Sequence, residues 1–164
     1  MTDRGALDPL HVFRFSVDFE QATIGSGTGG GDVLIGEGAF SECTGLEATM
    51  EPKVIKEGGR NYGAAQRVGP VSFGTVVLKR GMVRGDDLWK TFSTVARGAY
   101  SVRLKVTIRL LDGEGGEVMQ LHLRNALPVK LKVADFNARA TEVGIEELHL
   151  AHEGLTRGPE GEDD

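Results

Sequence analysis

The chain is poor in the residues that cross-link and stack. It has one cysteine, one tryptophan, two tyrosines and five prolines among 164 residues. A single thiol, Cys43, excludes an internal disulfide, a cysteine-based zinc cluster and a Cys-x-x-Cys redox pair. Its place between Glu42 and Thr44, beside Phe40, suits a buried structural thiol. No apolar run is long enough to cross a bilayer, so no membrane anchor is expected. Residues Met1 to Gly5 carry no apolar signal core, and the protein is expected to be made in the cytoplasm and not exported by that route. A basic balance is also missing. Lys and Arg number 19 against 24 Asp and Glu, a formal net charge of −5, whereas a general nucleic-acid binder is expected to be strongly basic. No Ser-His-Asp set or carboxylate pair stands out, so the sequence points to no enzyme and no cofactor.

Glycine, in contrast, is abundant at 24 residues. Together with the few aromatics, 6% of the chain, this describes turns and short strands rather than a helical bundle. The length fits one domain. Acidic charge collects at one end: from Glu142 to Asp164 eight acidic residues stand against Arg157 alone. The expected organisation is an N-terminal arm over residues 1–9, a β domain over 10–155 and a solvated acidic tail over 156–164.

Period-two alternation supplies most of the elements. Phe13, Phe15, Val17 and Phe19 alternate with Arg14, Ser16, Asp18 and Glu20. A glycine-rich insertion follows over residues 21–32, then a short strand through Val33 to Ile35. Leu46, Ala48 and Met50 alternate with Glu47, Thr49 and Glu51, and Lys53 to Glu57 continues beyond Pro52 as an edge or bulged strand. Residues 58–69 are too long for a tight hairpin turn, and long loops are usually functional. Val71 to Arg80 forms a further strand. Leu88, Trp89, Phe92, Val95 and Ala96 recur at helical spacing, predicting one helix over 86–97 with Trp89 and Phe92 packed inward. Tyr100 to Asp112 is the clearest strand, returning through a glycine turn into Val118 to Ala126. Separate strands are expected after Pro128, through Val129, Leu131 and Val133, and from about Thr141 to His152. The fold class is therefore mainly β: an antiparallel barrel or sandwich with one helix over a side or end.

Three patterns invite chemistry. Gly25-x-Gly27-x-x-Gly30 matches a dinucleotide fingerprint, but no helix pattern follows it, so a flexible loop is the better reading. His149 and His152 have zinc-motif spacing on a helix, whereas on a strand the odd offset points them to opposite faces. Arg103, Lys105 and Arg109 share one strand face with His122 and Arg124 on the partner strand. That basic face suits a solvated exterior, an assembly surface or a groove for single-stranded nucleic acid, although it lacks stacking aromatics.

An ordered set of short motifs adds a resemblance. Phe40-Ser-Glu-x-Thr-Gly-Leu-Glu-Ala48 opens it. Glu57-Gly-Gly-Arg-Asn61, Val77-Leu-Lys-Arg-Gly81, Leu88-Trp89 and Leu110-Leu-Asp112 continue it. Asn125-Ala-x-Pro-Val-Lys130 and Ile145-Glu-x-Leu-x-Leu-Ala-His-Glu-Gly-Leu155 close it. In this order, from Asp8 to Leu155, the chain resembles the tail-tube proteins of contractile phages and phage-tail-like injection systems. The glycine-rich insertion and Val68-Gly69-Pro70, which stands where the family has Leu-Pro-Gly, are departures. The resemblance implies a tail-tube β domain, similar to the secreted ring protein of type VI secretion. It also implies a homo-hexamer stacked into a tube, with sheath subunits, baseplate or tube-initiator proteins, and protein or DNA cargo in the lumen.

On this reading the inter-ring loop is residues 58–69, with Gly58, Gly59, Arg60, Asn61, Tyr62 and Gln66 as its contact candidates. Glu47, Glu51, Lys53 and Ser72 are lumen candidates. Arg103, Lys105, Arg109 and Arg124 are sheath-facing candidates. Val71 to Arg80 and Lys53 to Glu57 are expected to pair between neighbours in the ring. The alternatives of other classes are a soluble ring-forming secreted carrier of the type VI kind and a small β-barrel that binds nucleic acid.

Overall fold

Residues 14–23, 40–97 and 102–158 are described by the structure, a computed structural model. The described chain runs β1 (Phe15–Thr23), β2 (Glu42–Thr44), β3 (Ala48–Met50), β4 (Lys53–Ile55), β5 (Ala65–Arg67), β6 (Val71–Phe73), β7 (Val76–Gly81), α1 (Asp87–Ala96), β8 (Val102–Leu111), β9 (Glu117–Lys132), β10 (Ile145–Ala151) and β11 (Gly154–Arg157). The expected acidic tail beyond residue 158, the arm over 1–9, residues 24–32 of the glycine-rich insertion and the strand at Val33 lie outside the described residues, whereas residues 21–23, expected in that insertion, continue β1. Backbone pairing reaches Arg157, so ordered structure continues past residue 155.

Neighbouring strands follow the order β1-β8-β9-β10-β7-β2, and β11 also pairs with β9. All pairings are antiparallel. The long strand β9 belongs to two layers. Its first half lies between β8 and β11, and its second half beside β10. Between the layers sit Val17, Phe19, Leu104, Val106, Ile108 and Leu123 from one side and Val76, Leu78, Leu148 and Leu150 from the other. Each fully buried Leu or Val among them contributes about 1.5–3 kcal/mol relative to exposure. The alternation in Phe15 to Phe19 and in Leu104 to Leu110 thus reads out as core.

Strand β9 corrects the sequence reading. It is one strand that runs through Pro128, because two bulges shift its inward face. Leu104 pairs with Ala126 but Val106 with Leu123, which sets an extra β9 residue into the ladder. Asn125 takes up that residue at φ 51, in the left-handed region that Asn tolerates. Next, His149 pairs with Lys130 but Leu150 with Pro128, which leaves Val129 as the second extra residue. Inward positions therefore pass from Leu123 to Ala126 and Pro128, then back to Leu131, while Val129 and Val133 are exposed. Proline is tolerated there because it sits beside a bulge.

Helix α1 is ordered at its start by charge. The inward-facing Arg80 of β7 is only 5% exposed. Its Nε donates to Glu146 Oε1 at 2.5 Å, on the adjacent strand β10. Its two terminal nitrogens donate to Asp87 Oδ1 and Oδ2 at 2.6 and 3.1 Å, in the first turn of α1. The guanidinium also lies 5.8 Å from the centre of the Phe40 ring. The hydrogen bond from Arg80 holds the Asp87 carboxyl below its usual range, and Asp87 complements the helix N-terminus. Leu88 and Thr91 are the buried residues of α1, whereas Trp89 is 58% exposed. This corrects the expectation of a packed tryptophan: Leu88 occupies the inward position next to Asp87, and the adjacent position turns outward by about 100°.

Replacing Arg80 with Ala leaves two carboxylates inside the protein and should cost about 3–5 kcal/mol in urea unfolding. Replacing Trp89 with Ala should cost about 1 kcal/mol or less. Asp87 also sets a pH dependence. Its folded pKa is depressed, so its contribution is full above the unfolded value near pH 4 and is lost as pH falls through the folded value. Titration from about pH 5 downward should lower stability less in an Asp87→Asn variant than in the wild-type protein.

Candidate functional site

The segment between β2 and β7 leaves the sandwich as a two-part hairpin. Ala48, Thr49 and Met50 pair with Phe73, Ser72 and Val71, and Lys53, Val54 and Ile55 pair with Arg67, Gln66 and Ala65. Two glycines permit the close approaches. Gly45 has φ 82, and a Cβ there would meet the Thr75 carbonyl oxygen at 2.0 Å. A Cβ on Gly69 would meet the Glu51 carbonyl oxygen at 2.0 Å, where the arm narrows between its two parts. At about 3.3 Å per residue, the run from Ala48 to Ile55 alone spans roughly 25 Å.

This arm lacks a core of its own. Met50 is 57% exposed, Val54 58%, Val68 69% and Tyr62 97%. Apolar side chains this exposed and this close together mark an interaction surface. The inter-ring candidates Gly58, Gly59, Arg60, Asn61 and Tyr62 lie at its tip. Ala65 to Arg67 are paired strand, so Gln66 stands on the stem and the unpaired tip is shorter than the 58–69 loop expected from sequence. Pairing of residues 65–67 with 53–55 was hidden because neither three-residue strand has a strong pattern.

The lumen candidates Glu47, Glu51, Lys53 and Ser72 are all exposed along the arm and its root. Ser72 Oγ donates to the Thr49 carbonyl at 3.4 Å, and the Glu47 side chain lies over Gly74. Sequence reasoning passed over a second polar face nearby, on the outer side of β10, β7, β2 and the end of β9. There Lys79 Nζ meets Glu42 at 3.0 Å, Glu147 meets His149 at 3.2 Å and Lys132 at 3.9 Å. The hydrogen bond to Glu42 raises the Lys79 pKa, and the hydrogen bond from His149 lowers that of Glu147. Alternation in residues 145–151 was the available signal. The ladder that joins Lys79 to Glu42 and Lys132 to Glu147 pairs residues far apart in the chain.

Arg103, Lys105, Arg109 and Arg124 lie on β8 and β9 of the other layer. This face is mixed rather than basic. Arg109 is ion-paired with Asp18 and lies 3.4 Å from Glu117, and Glu20 stands opposite Lys105 in register. Asp18 and Glu20 come from β1, which pairs along β8, and Glu117 from the start of β9. His122 is engaged by Thr107 Oγ1 at 3.1 Å and by the Gly158 carbonyl at 2.8 Å. His149 is on β10, whereas His152 follows its end, with Nδ1 against the Gly154 carbonyl at 2.9 Å and its ring 5.3 Å from that of Phe73. Among the described residues no cluster of three metal-ligating side chains forms.

The end strands of the sheet order are β1 and β2. β7 lies between β10 and β2, so Val76 to Arg80 do not offer a free edge, which corrects the expected pairing partner in a ring. Beside β2 opens an apolar crevice of about 380 Å³, lined by Phe15, Cys43, Leu46, Leu110, Met119 and Leu121 among others. Burial pushes the Cys43 thiol up to about 11.

A sandwich with a complete core, two end strands and an apolar arm is a building block for assembly. The chain belongs to the T4-like virus tail tube protein gp19 family, whose model matches residues 11–156. It is a structural tube subunit. Over 92% of its length it is 28% identical to a chain of the anti-feeding prophage baseplate in its six-fold symmetrised structure, with 95% of that chain covered and a TM-score of 0.77. It shares its fold with a chain of the extended sheath-tube complex of an extracellular contractile injection system, at 17% identity, covering 96% of this chain and 99% of that one, with a TM-score of 0.74. A type six secretion system protein has the same fold at 9% identity, covering 88% of this chain and 83% of that one, with a TM-score of 0.52. No curated protein matches the chain by sequence.

The raised pKa leaves Cys43 almost wholly as the thiol at pH 8. Its alkylation by iodoacetamide at that pH should run about two orders of magnitude slower than that of an unstructured cysteine, and unfolding in urea should abolish the difference.

Proposed function

We propose that this subunit closes into six-fold rings that stack into the hollow inner tube of a contractile phage-tail-like particle, surrounded by a sheath and founded on a baseplate. The observation that carries the reading is the arm: a paired hairpin whose apolar side chains find no cover among the described residues. Gly58, Gly59, Arg60, Asn61, Tyr62 and Gln66 contact the next ring. The protein works by assembly and catalyses nothing, and it acts within the particle after synthesis in the cytoplasm.

The arm extends the layer that holds β7 and β2, and a wall continuous from ring to ring is built from the strands that continue into the arm. The polar face of that layer therefore lines the lumen, with Glu47, Glu51, Lys53 and Ser72 carrying it onto the arm. Paired charges such as Lys79 with Glu42 keep that wall wet without holding protein or DNA cargo. Arg103, Lys105, Arg109 and Arg124 then face the sheath. Neutralisation of Arg109 and the lack of stacking aromatics weigh against a nucleic-acid groove on that face.

Replacing residues 57–63 with a short Asn-Gly turn should leave the unfolding free energy within about 0.5 kcal/mol of wild type. In negative-stain micrographs the variant should give rings and no long tubes. Wild-type tube lengths would refute the inter-ring role of the arm, and isolated rings from the unaltered protein would favour a secreted ring-forming carrier.

A further inference from the structure

The arm joins the sandwich through a break in the ladder. Thr44 is the last residue of β2 to pair with β7, opposite Val77, and the pairing of the arm itself begins at Ala48, opposite Phe73. Between these pairs lie Gly45 to Glu47 on one side and Gly74 to Val76 on the other. A backbone bond from Gly74 N to the Glu47 carbonyl, at 3.1 Å, crosses the break. Gly45 adopts φ 82, and the Glu47 side chain takes the place that a Cβ on Gly74 would occupy. A joint of this kind bends easily, so a further contact is needed to fix the angle between arm and sandwich.

The corner between β10 and β11 supplies that contact. The His152 ring lies 5.3 Å from that of Phe73, tilted by 42°, and both residues are half-buried. The corner is itself tied down. His152 Nδ1 donates to the Gly154 carbonyl at 2.9 Å, and Glu153 N donates to the Arg124 carbonyl at 3.0 Å. Asn125 Nδ2 donates to Glu153 Oε2 at 2.7 Å. Asn125 is the left-handed bulge residue of β9, so the bulge that carries β9 between layers also anchors the seat of the arm. The second ring nitrogen, His152 Nε2, is buried with no hydrogen-bond partner among the described residues. A buried nitrogen left unpaired is a cost, which marks the face of the ring, not its polarity, as the part this site uses.

We propose that His152 is a positioning residue: its ring is the stop against which Phe73 rests, and this contact sets the angle at which the arm leaves the sandwich. The hydrogen bond to Gly154 and the clamp between Asn125 and Glu153 hold the stop in place. The consequence for assembly rests on the tube reading above; the hinge itself does not. An arm held at one angle is preorganised, whereas an arm that swings must be ordered again at each contact it makes, which weakens assembly.

The test separates the ring from the hydrogen bond. His152→Asn keeps a side-chain N–H for the Gly154 carbonyl and removes the ring, whereas His152→Phe keeps a ring and removes the N–H. Spin labels at Tyr62→Cys on the arm tip and Glu114→Cys on the β8–β9 turn, in a Cys43→Ala background, report the angle as a distance distribution by double electron–electron resonance. Labelled subunits are diluted into unlabelled protein of the same variant, so that distances within one subunit are read. His152 itself and His152→Phe should each give one narrow peak, and His152→Asn should lose it to a broad distribution. Phe73→Leu should broaden the distribution equally, and adding His152→Asn to it should broaden it no further. Without labels, the protein concentration needed for tubes should rise about ten-fold in His152→Asn and stay near wild type in His152→Phe. A narrow peak from His152→Asn would overturn the proposal. So would a broad distribution from His152→Phe or from the unaltered ring, or additive broadening in the double variant. Absence of tubes from the unaltered protein would remove the tube reading alone, because the distances are read within the subunit and decide the hinge separately.

Discussion

Arg80 is the residue on which the described architecture turns. A guanidinium is held inside the sandwich by a carboxylate on the neighbouring strand and another at the start of the helix. Removing an arginine from water is expensive, and the cost is offset only when its fork-shaped donors are matched. Here Asp87 takes two of them and Glu146 a third. The geometry requires β7, β10 and α1 to be in place together, so it specifies where the only helix among the described residues enters the fold. Phe40, over the same guanidinium and 6.0 Å from Phe19, ties this corner to β1 of the opposite layer.

The second constraint is the path of β9. One strand serves both layers because two bulges turn its inward face over and back. Without the Asn125 bulge, Ala126 would point away from the core on the same side as Arg124. A regular strand of this length would pair with one layer only. Its irregularities let a single backbone close the sandwich along β9, leaving β1 and β2 as the ends of the strand order.

Core and arm divide the labour. The sandwich buries Val17, Val76, Val106, Leu78, Leu104, Leu123, Leu148 and Leu150 fully, whereas the arm keeps Met50, Val54, Tyr62 and Val68 in solvent. An isolated hairpin is marginally stable in water, so exposure of this kind makes sense for a segment that is covered after assembly.

The sequence by itself determined the β class, the helix and most of the inward face. Phe15, Val17, Phe19 and Leu104 to Leu110 alternate because a half-buried strand has period two, and that pattern is local. The ordered motifs also carried the family. The sequence did not disclose the parity shifts in β9, because a bulge is a relation between two strands. Nor did it disclose that Trp89 faces out while Leu88 faces in, since helical spacing alone leaves the width of the apolar stripe open. The Arg80 cluster joins residues 80, 87 and 146, and the paired charges at 42, 79, 132 and 147 arise from registers across β2, β7, β10 and β9. Residues 65–67 looked like part of a loop because the strands that pair there are three residues long and bury almost nothing. Local periodicity is written in neighbouring residues, whereas charge neutralisation and bulge placement depend on which distant strands meet, and only the tertiary structure decided that.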